Sequence, residues 1–141
     1  MIPFCNLSND LIKKIFYRSI TLRNNRINND ISNYVETLDI FIDEYSKMYS
    51  SYMNEYLDYM LNDIIFFVNQ NNPTSKGYCD NFYKIWRRNK YFSGKSNNAI
   101  ANYVDNQFEQ FDQKRQINIY WGLLKPSERY DCILISFAQY I

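Results

Sequence analysis

Residues 30–68, "DISNYVETLDIFIDEYSKMYSSYMNEYLDYMLNDIIFFV", carry the strongest pattern in the chain. Ile31, Tyr34, Val35, Leu38, Phe41, Ile42, Tyr45, Met48, Tyr49, Tyr52, Met53, Tyr56, Met60, Ile64 and Phe67 recur at steps of three and four. Such spacing lays one apolar and aromatic stripe along a helix. Glu36, Asp39, Asp43, Glu44, Ser50, Ser51, Glu55, Asp58 and Asn62 fall on the opposite face. No glycine or proline interrupts before Pro73. The pattern therefore predicts one long acidic amphipathic helix, about 58 Å long if unbroken, with "SKMYSSYMN" (46–54) as the place for a kink.

Shorter elements surround this stretch. Ser8 can cap a helix running to about Asn24, with Leu11, Ile12, Ile15, Phe16 and Ser19 inward. "NQNNPTSKG" (69–77) reads as a connection. A helix over about 77–89 presents Tyr78, Phe82, Ile85 and Trp86 on one side, and "NKYFSGKSNN" (89–98) follows as a loop. Ile100, Val104, Phe108 and Phe111 mark a further helix. "INIYWGLL" (117–124) fits either a continuation of that helix or a short buried strand, since periodicity alone does not separate the two. Pro126 and Ser127 open a last helix with Tyr130, Ile133, Leu134, Phe137 and Ile141 inward. With no repeat and no boundary signal, the expected architecture is a single-domain all-α helical bundle over residues 1–141.

Composition agrees with a globular chain: of 141 residues, 46% are hydrophobic and 22% charged. Tyr (14) and Phe (10) are abundant while His is absent. The richness in Asn and Ile reads as the codon bias of an AT-rich genome, pointing to a virus, a phage or a low-GC bacterium. Cys5, Cys79 and Cys132 are scattered, which is the pattern of reduced thiols. No apolar run approaches the 18 or so residues of a membrane span, and no secretion signal opens the chain. A cytoplasmic protein is expected, in the host cytoplasm if the chain is viral, with no membrane partner.

The net charge of +1 hides segregation. Residues 30–69 carry eight anions and one cation, whereas residues 70–98 carry six cations and one anion. Either flanking helices fold back and neutralise the acidic helix, or distinct acidic and basic surfaces serve partners.

The absence of histidine removes several chemistries. Ser–His–Asp and Cys–His nucleophilic sites, H-E-x-x-H zinc sites and Glu-x-x-His di-iron sites all need an imidazole. A carboxylate-only magnesium site could use Asp39, Asp43 and Glu44 if Asp105, Glu109 and Asp112 faced them. No cofactor, metal or catalytic residue is expected.

"KIWRRNKYFSGKSNN" (84–98) is the candidate contact surface. Its GKS tripeptide lacks the first glycine of a phosphate loop, because Asn89 stands there, and no strand precedes it. Lys84, Arg87, Arg88, Lys90 and Lys95 with Tyr91 and Phe92 resemble the cation and ring mixture that single strands favour. The competing reading makes Trp86 core and the cations the outward end of a helix, where the last carbonyls favour positive charge. These seven residues are the candidate partner-binding set, for a protein or for nucleic acid. The aromatic stripe of the long helix offers a seam for a homo-oligomer.

Two segments, "GYCDNFYKI" (77–85) and "IYWGLLKPSERYDCILISF" (119–137), resemble a family of phage abortive infection proteins. Tyr78, Phe82, Tyr83 and Ile85 match a Y-F-R-x-L-Y-x-I pattern, though Cys79 and Asp80 stand where that pattern has Phe-Arg. Tyr120, Leu124, Ser127 and Glu128 match a segment leading into an apolar helix. The resemblance implies a role in conflict between phage or virus and host, and brings no catalytic residues. The combined expectation is a non-enzymatic helical protein that binds another protein, as a defence factor or as an inhibitor. The alternative is a nucleic-acid-binding module using residues 84–95.

Overall fold

The computed structural model describes residues 10–15, 30–49 and 55–138, and every regular element among them is helical. These are α1 (10–15), α2 (Asp30–Met48), α3 (Glu55–Val68), α4 (Asp80–Trp86), α5 (Asn97–Asn106), α6 (Gln113–Leu123) and α7 (Pro126–Ala138), with 3₁₀ turns at Thr74–Lys76 and Phe108–Gln110. The all-α expectation holds. The Ser8 cap, the remainder of the first predicted helix, Cys5 and Ile141 lie outside the described residues.

The single helix expected over 30–68 is not what is described. Helix covers both halves of the pattern, but as α2 and α3, with residues 50–54 between them outside the described residues. The two halves also bury their faces in different places. Two compact units divide the chain: Met1–Tyr56 with Lys125–Ile141, and Leu57–Leu124.

In the first unit α2 packs on α7. Phe41, Tyr45 and Phe137 form a ring cluster, with centroids 5.0 Å (Phe41–Tyr45), 5.2 Å (Tyr45–Phe137) and 6.0 Å (Phe41–Phe137) apart. Leu11 and Ile15 of α1, Leu38 and Ile40 of α2, and Cys132 and Ile133 of α7 are buried in this unit. Each such aliphatic side chain stabilises the unit by about 1.5–3 kcal/mol.

The buried face of α2 is rotated from the predicted stripe. Ile31 and Val35 are 72% and 50% exposed, whereas Asn33 and Thr37 are fully buried. The reason lies in α7, whose Arg129 side chain is also fully buried. A buried guanidinium needs acceptors. Arg129 Nη1 donates to Asp30 Oδ1 at 2.8 Å, to Asn33 Oδ1 at 2.8 Å and to the Asp30 carbonyl at 3.3 Å. Tyr34 places its ring 5.5 Å from the guanidinium carbon. Thr37 satisfies its own hydroxyl by donating to the Asn33 carbonyl at 2.6 Å. Polar residues therefore occupy one end of the inner face. Glu44, expected on the solvent side, is likewise buried, with Lys47 Nζ 3.6 Å from its carboxylate. In α7 the inner positions are Arg129, Cys132, Ile133, Ser136 and Phe137, while Tyr130 and Leu134 are only half-buried.

The second unit is organised around Trp86. Its ring lies 4.8 Å from Phe108, 5.5 Å from Phe92, 5.5 Å from Tyr120 and 6.0 Å from Tyr103, each close to edge-to-face. Such pairs add about 0.5–1.5 kcal/mol each beyond their burial. Phe82 and Ile85 of α4, Ile100 and Val104 of α5, and Met60 and Ile64 of α3 are buried as the spacing predicted.

Two connections in this unit are tightly specified. Asn69, fully buried after α3, donates to the Asn72 and Gly77 carbonyls (3.0 and 3.1 Å) and accepts from the Cys79 amide at 2.7 Å. One side chain thus closes the 69–79 loop, where Gln70 and Asn71 take left-handed φ values of 53° and 60°. At the other end, Asp112 accepts from the Arg115 amide at 2.9 Å and caps α6. That cap starts a separate helix, so 117–123 is helical and neither a strand nor a continuation of α5, with Ile117, Tyr120 and Trp121 buried and Leu124 extended after it. In the first unit, Pro126 opens α7 and Glu128 accepts from the Lys125 amide at 2.7 Å.

Candidate functional site

The stretch after α4 is a run of turns whose hydrogen bonds sort its side chains into core and surface. Asn89 accepts from the Tyr91 amide at 2.9 Å, and the Phe92 amide donates to the Asn89 carbonyl at 3.0 Å. Ser93 donates its hydroxyl to the Lys90 carbonyl at 2.9 Å, and the Lys95 amide closes on the Phe92 carbonyl at 3.0 Å. The tight backbone sends adjacent rings opposite ways. Tyr91 is 67% exposed, whereas Phe92 is 5% exposed and lies 4.8 Å from Tyr103.

Phe92, one of the predicted contact residues, is therefore mostly interior. It is a core residue, because its ring fills space between Trp86 and Tyr103. Trp86 is core as expected. The two arginines are engaged within the unit. Arg87 Nε donates to the Lys95 carbonyl at 3.1 Å and Nη2 to Asn97 Oδ1, while its guanidinium carbon lies 5.8 Å from the Tyr83 ring centroid. It pins the turn to the start of α5. Arg88 Nη1 donates to the Leu123 carbonyl at 2.9 Å, at the end of α6. A cation is favoured there by the helix dipole, so Arg88, in the turn after α4, serves the terminus of α6.

Lys84, Lys90 and Lys95 are exposed, as is Arg88 beside the end of α6. Lys95 Nζ lies 5.0 Å from the Tyr91 ring centroid, which holds that exposed ring in place. Ser96, the last residue of the GKS tripeptide, accepts from the Ala99 amide at 3.2 Å and caps α5. That hydroxyl has a structural task.

A surface groove of about 490 Å³ opens beside Tyr91 and Lys95. Asn89 and Phe92 complete its turn side; Ala99, Asn102, Tyr103 and Gln107 supply the α5 side. Of the seven sequence-predicted residues, Tyr91, Phe92 and Lys95 line it. Asn102, Tyr103 and Gln107 were not predicted. Their only sequence signal is that they fall off the buried Ile100–Val104 face of α5.

Of the carboxylates weighed for a metal, Asp43, Glu44, Asp105 and Asp112 are engaged within the fold. Lys47 and Lys14 approach Asp43 at 3.1 and 3.5 Å, and the hydrogen bond to Lys47 holds its carboxyl below the ordinary range. Asp105 accepts from Tyr78 at 2.5 Å, and burial with that bond pushes the phenol well above its ordinary pKa. Burial and the neighbouring Asp105 raise Glu109. Asp112 is the α6 cap. Among the described residues, no group of three or more His, Cys, Asp or Glu is placed to hold a metal. No helix among them is long and apolar enough to cross a membrane.

Half of the eight positions that carry the resemblance are interior. Phe82, Ile85, Tyr120 and Leu124 are buried, and Tyr78 stacks on Phe82 at 4.0 Å. These four define packing, while Ser127 is exposed. No family model, curated protein or solved structure matches the chain.

Proposed function

We propose that this chain is a non-enzymatic binding protein that docks another protein on the turn after α4 and the adjoining face of α5. The observation that carries the reading is Tyr91. A large ring that is 67% exposed, stacked against Lys95 at the mouth of a groove, is the kind of anchor that protein interfaces use. The nucleic-acid alternative loses much of its support. Strand binding draws on several exposed rings and on free guanidinium forks. Trp86 and Phe92 are interior, and Arg87 and Arg88 hold backbone carbonyls. The setting we adopt is conflict between a phage or virus and its host, as defence factor or inhibitor, on the strength of the resemblance in residues 77–85 and 119–137.

Affinity capture comparing the native chain with a Tyr91→Ala/Lys95→Glu variant tests the reading. A specific protein recovered by the native chain and lost by the variant is expected. Equal recovery by both would move the contact elsewhere. A gel shift with single-stranded DNA that weakens with salt and with Lys90→Ala/Lys95→Ala would favour the nucleic-acid reading instead.

A further inference from the structure

We infer that the groove beside Tyr91 takes an extended, acidic peptide segment of the partner and reads its backbone through side-chain amides. The inference rests on the protein-binding reading and names the chemistry of the partner.

The groove combines three features. Asn89, Asn102 and Gln107 bring primary amides to it, each with a carbonyl acceptor and an NH₂ donor. An extended peptide presents one N–H and one C=O per residue, so a side-chain amide can serve both kinds of group along it. Asn89 spends its carbonyl on the Tyr91 amide, which leaves its NH₂ to donate outward. Ala99 contributes almost no side chain to the α5 wall, so a backbone can approach closely there. The rings of Tyr91 and Tyr103 give the apolar contact area, at low cost in side-chain freedom.

Charge then selects the occupant. Residues 70–98 carry six cations against one anion. Lys84, Lys90 and Lys95 are exposed, and among the described residues none has a carboxylate within ion-pair distance. Ammonium groups on flexible stems, without available guanidinium forks, suit scattered carboxylates better than the regular phosphates of a strand. The acidic residues would sit on the rim, where they govern encounter and specificity, and the amides would fix the register.

The test is an amide NMR titration of the full chain with three pools: short peptides rich in Asp and Glu, the same lengths rich in Lys, and oligo-dT. The acidic pool should shift the side-chain amide signals of Asn89, Asn102 and Gln107 and the backbone signals of 89–95. Asn102→Ala and Lys95→Glu, both exposed and so able to fold, should each weaken that binding by about tenfold. Acidic peptides that leave these signals unmoved, or Lys-rich peptides that move them equally, would overturn the inference. Shifts from oligo-dT alone would overturn it together with the protein-binding reading. A partner captured through Tyr91, with no response to the acidic pool, would remove only the present inference.

Discussion

Truncating Tyr91 and Phe92 in turn separates the core of the second unit from its surface. The two rings are neighbours in sequence and 4.8 Å apart, yet one is 67% exposed and the other 5%. Phe92→Ala removes a ring packed against Trp86 and Tyr103. Loss of a buried Phe costs about 3–5 kcal/mol, because transfer energy is lost and a cavity remains. For a chain of this length each kcal/mol moves the midpoint by about 3–4 °C, so Phe92→Ala should lower Tm by ~9–20 °C. Tyr91→Ala gives up its contact with Lys95 and an edge contact with Phe92, and should cost about 1 kcal/mol or less. Thermal unfolding followed by tryptophan fluorescence suits the comparison, since Trp86 and Trp121, the only two tryptophans, are both buried in this unit. A Phe92→Ala variant melting within about 2 °C of the native chain would refute the core assignment. A Tyr91→Ala variant that melted as low as Phe92→Ala would refute the surface assignment.

Further outcomes follow from the same contacts. Arg129→Ala should destabilise the first unit by about 3 kcal/mol or more, since it leaves buried Asn33 without its cationic donor. Asp30→Ala should cost about 2 kcal/mol or more, because it leaves the fully buried Arg129 charge without its carboxylate, and Asp30→Asn, which keeps an acceptor, should cost less; urea unfolding by circular dichroism distinguishes these variants. Asp112→Ala should cost about 1 kcal/mol through the lost α6 cap and raise amide exchange in the first turn of that helix. Burial first, then the bond to Asp105, raises the Tyr78 phenol in the folded state, and burial raises Tyr120. Their stabilisation is therefore complete below about pH 10, the unfolded value, and is lost as pH climbs above it. Absorbance titration should show these phenols ionising only with unfolding, and Tyr78→Phe should lessen the alkaline sensitivity.

Periodicity located the apolar faces of most helices, though not α6 or the end of α5, because step lengths of three and four survive in any packing. It could not tell which arc of α2 faces inward. That depends on Arg129 of α7, which lies ninety-nine residues away from Asp30 and draws Asn33 and Thr37 into the interior. The ambiguity was resolved, as helix over 117–123, by Asp112, a capping residue outside the stretch in question. The contact surface was only partly visible. A local run of cations and rings flagged 84–95, but backbone turns decide that Tyr91 faces out and Phe92 in. The amides of Asn102 and Gln107 join the groove only through the fold.

A photoactivatable phenylalanine analogue at position 91 tests the central claim most directly, because it reads what touches that ring in the cell of origin. The account predicts a discrete protein adduct at position 91, absent when Lys95→Glu is added and absent for the same group on exposed Ile135 of α7. No adduct, an adduct with nucleic acid, or one indifferent to Lys95→Glu would contradict it.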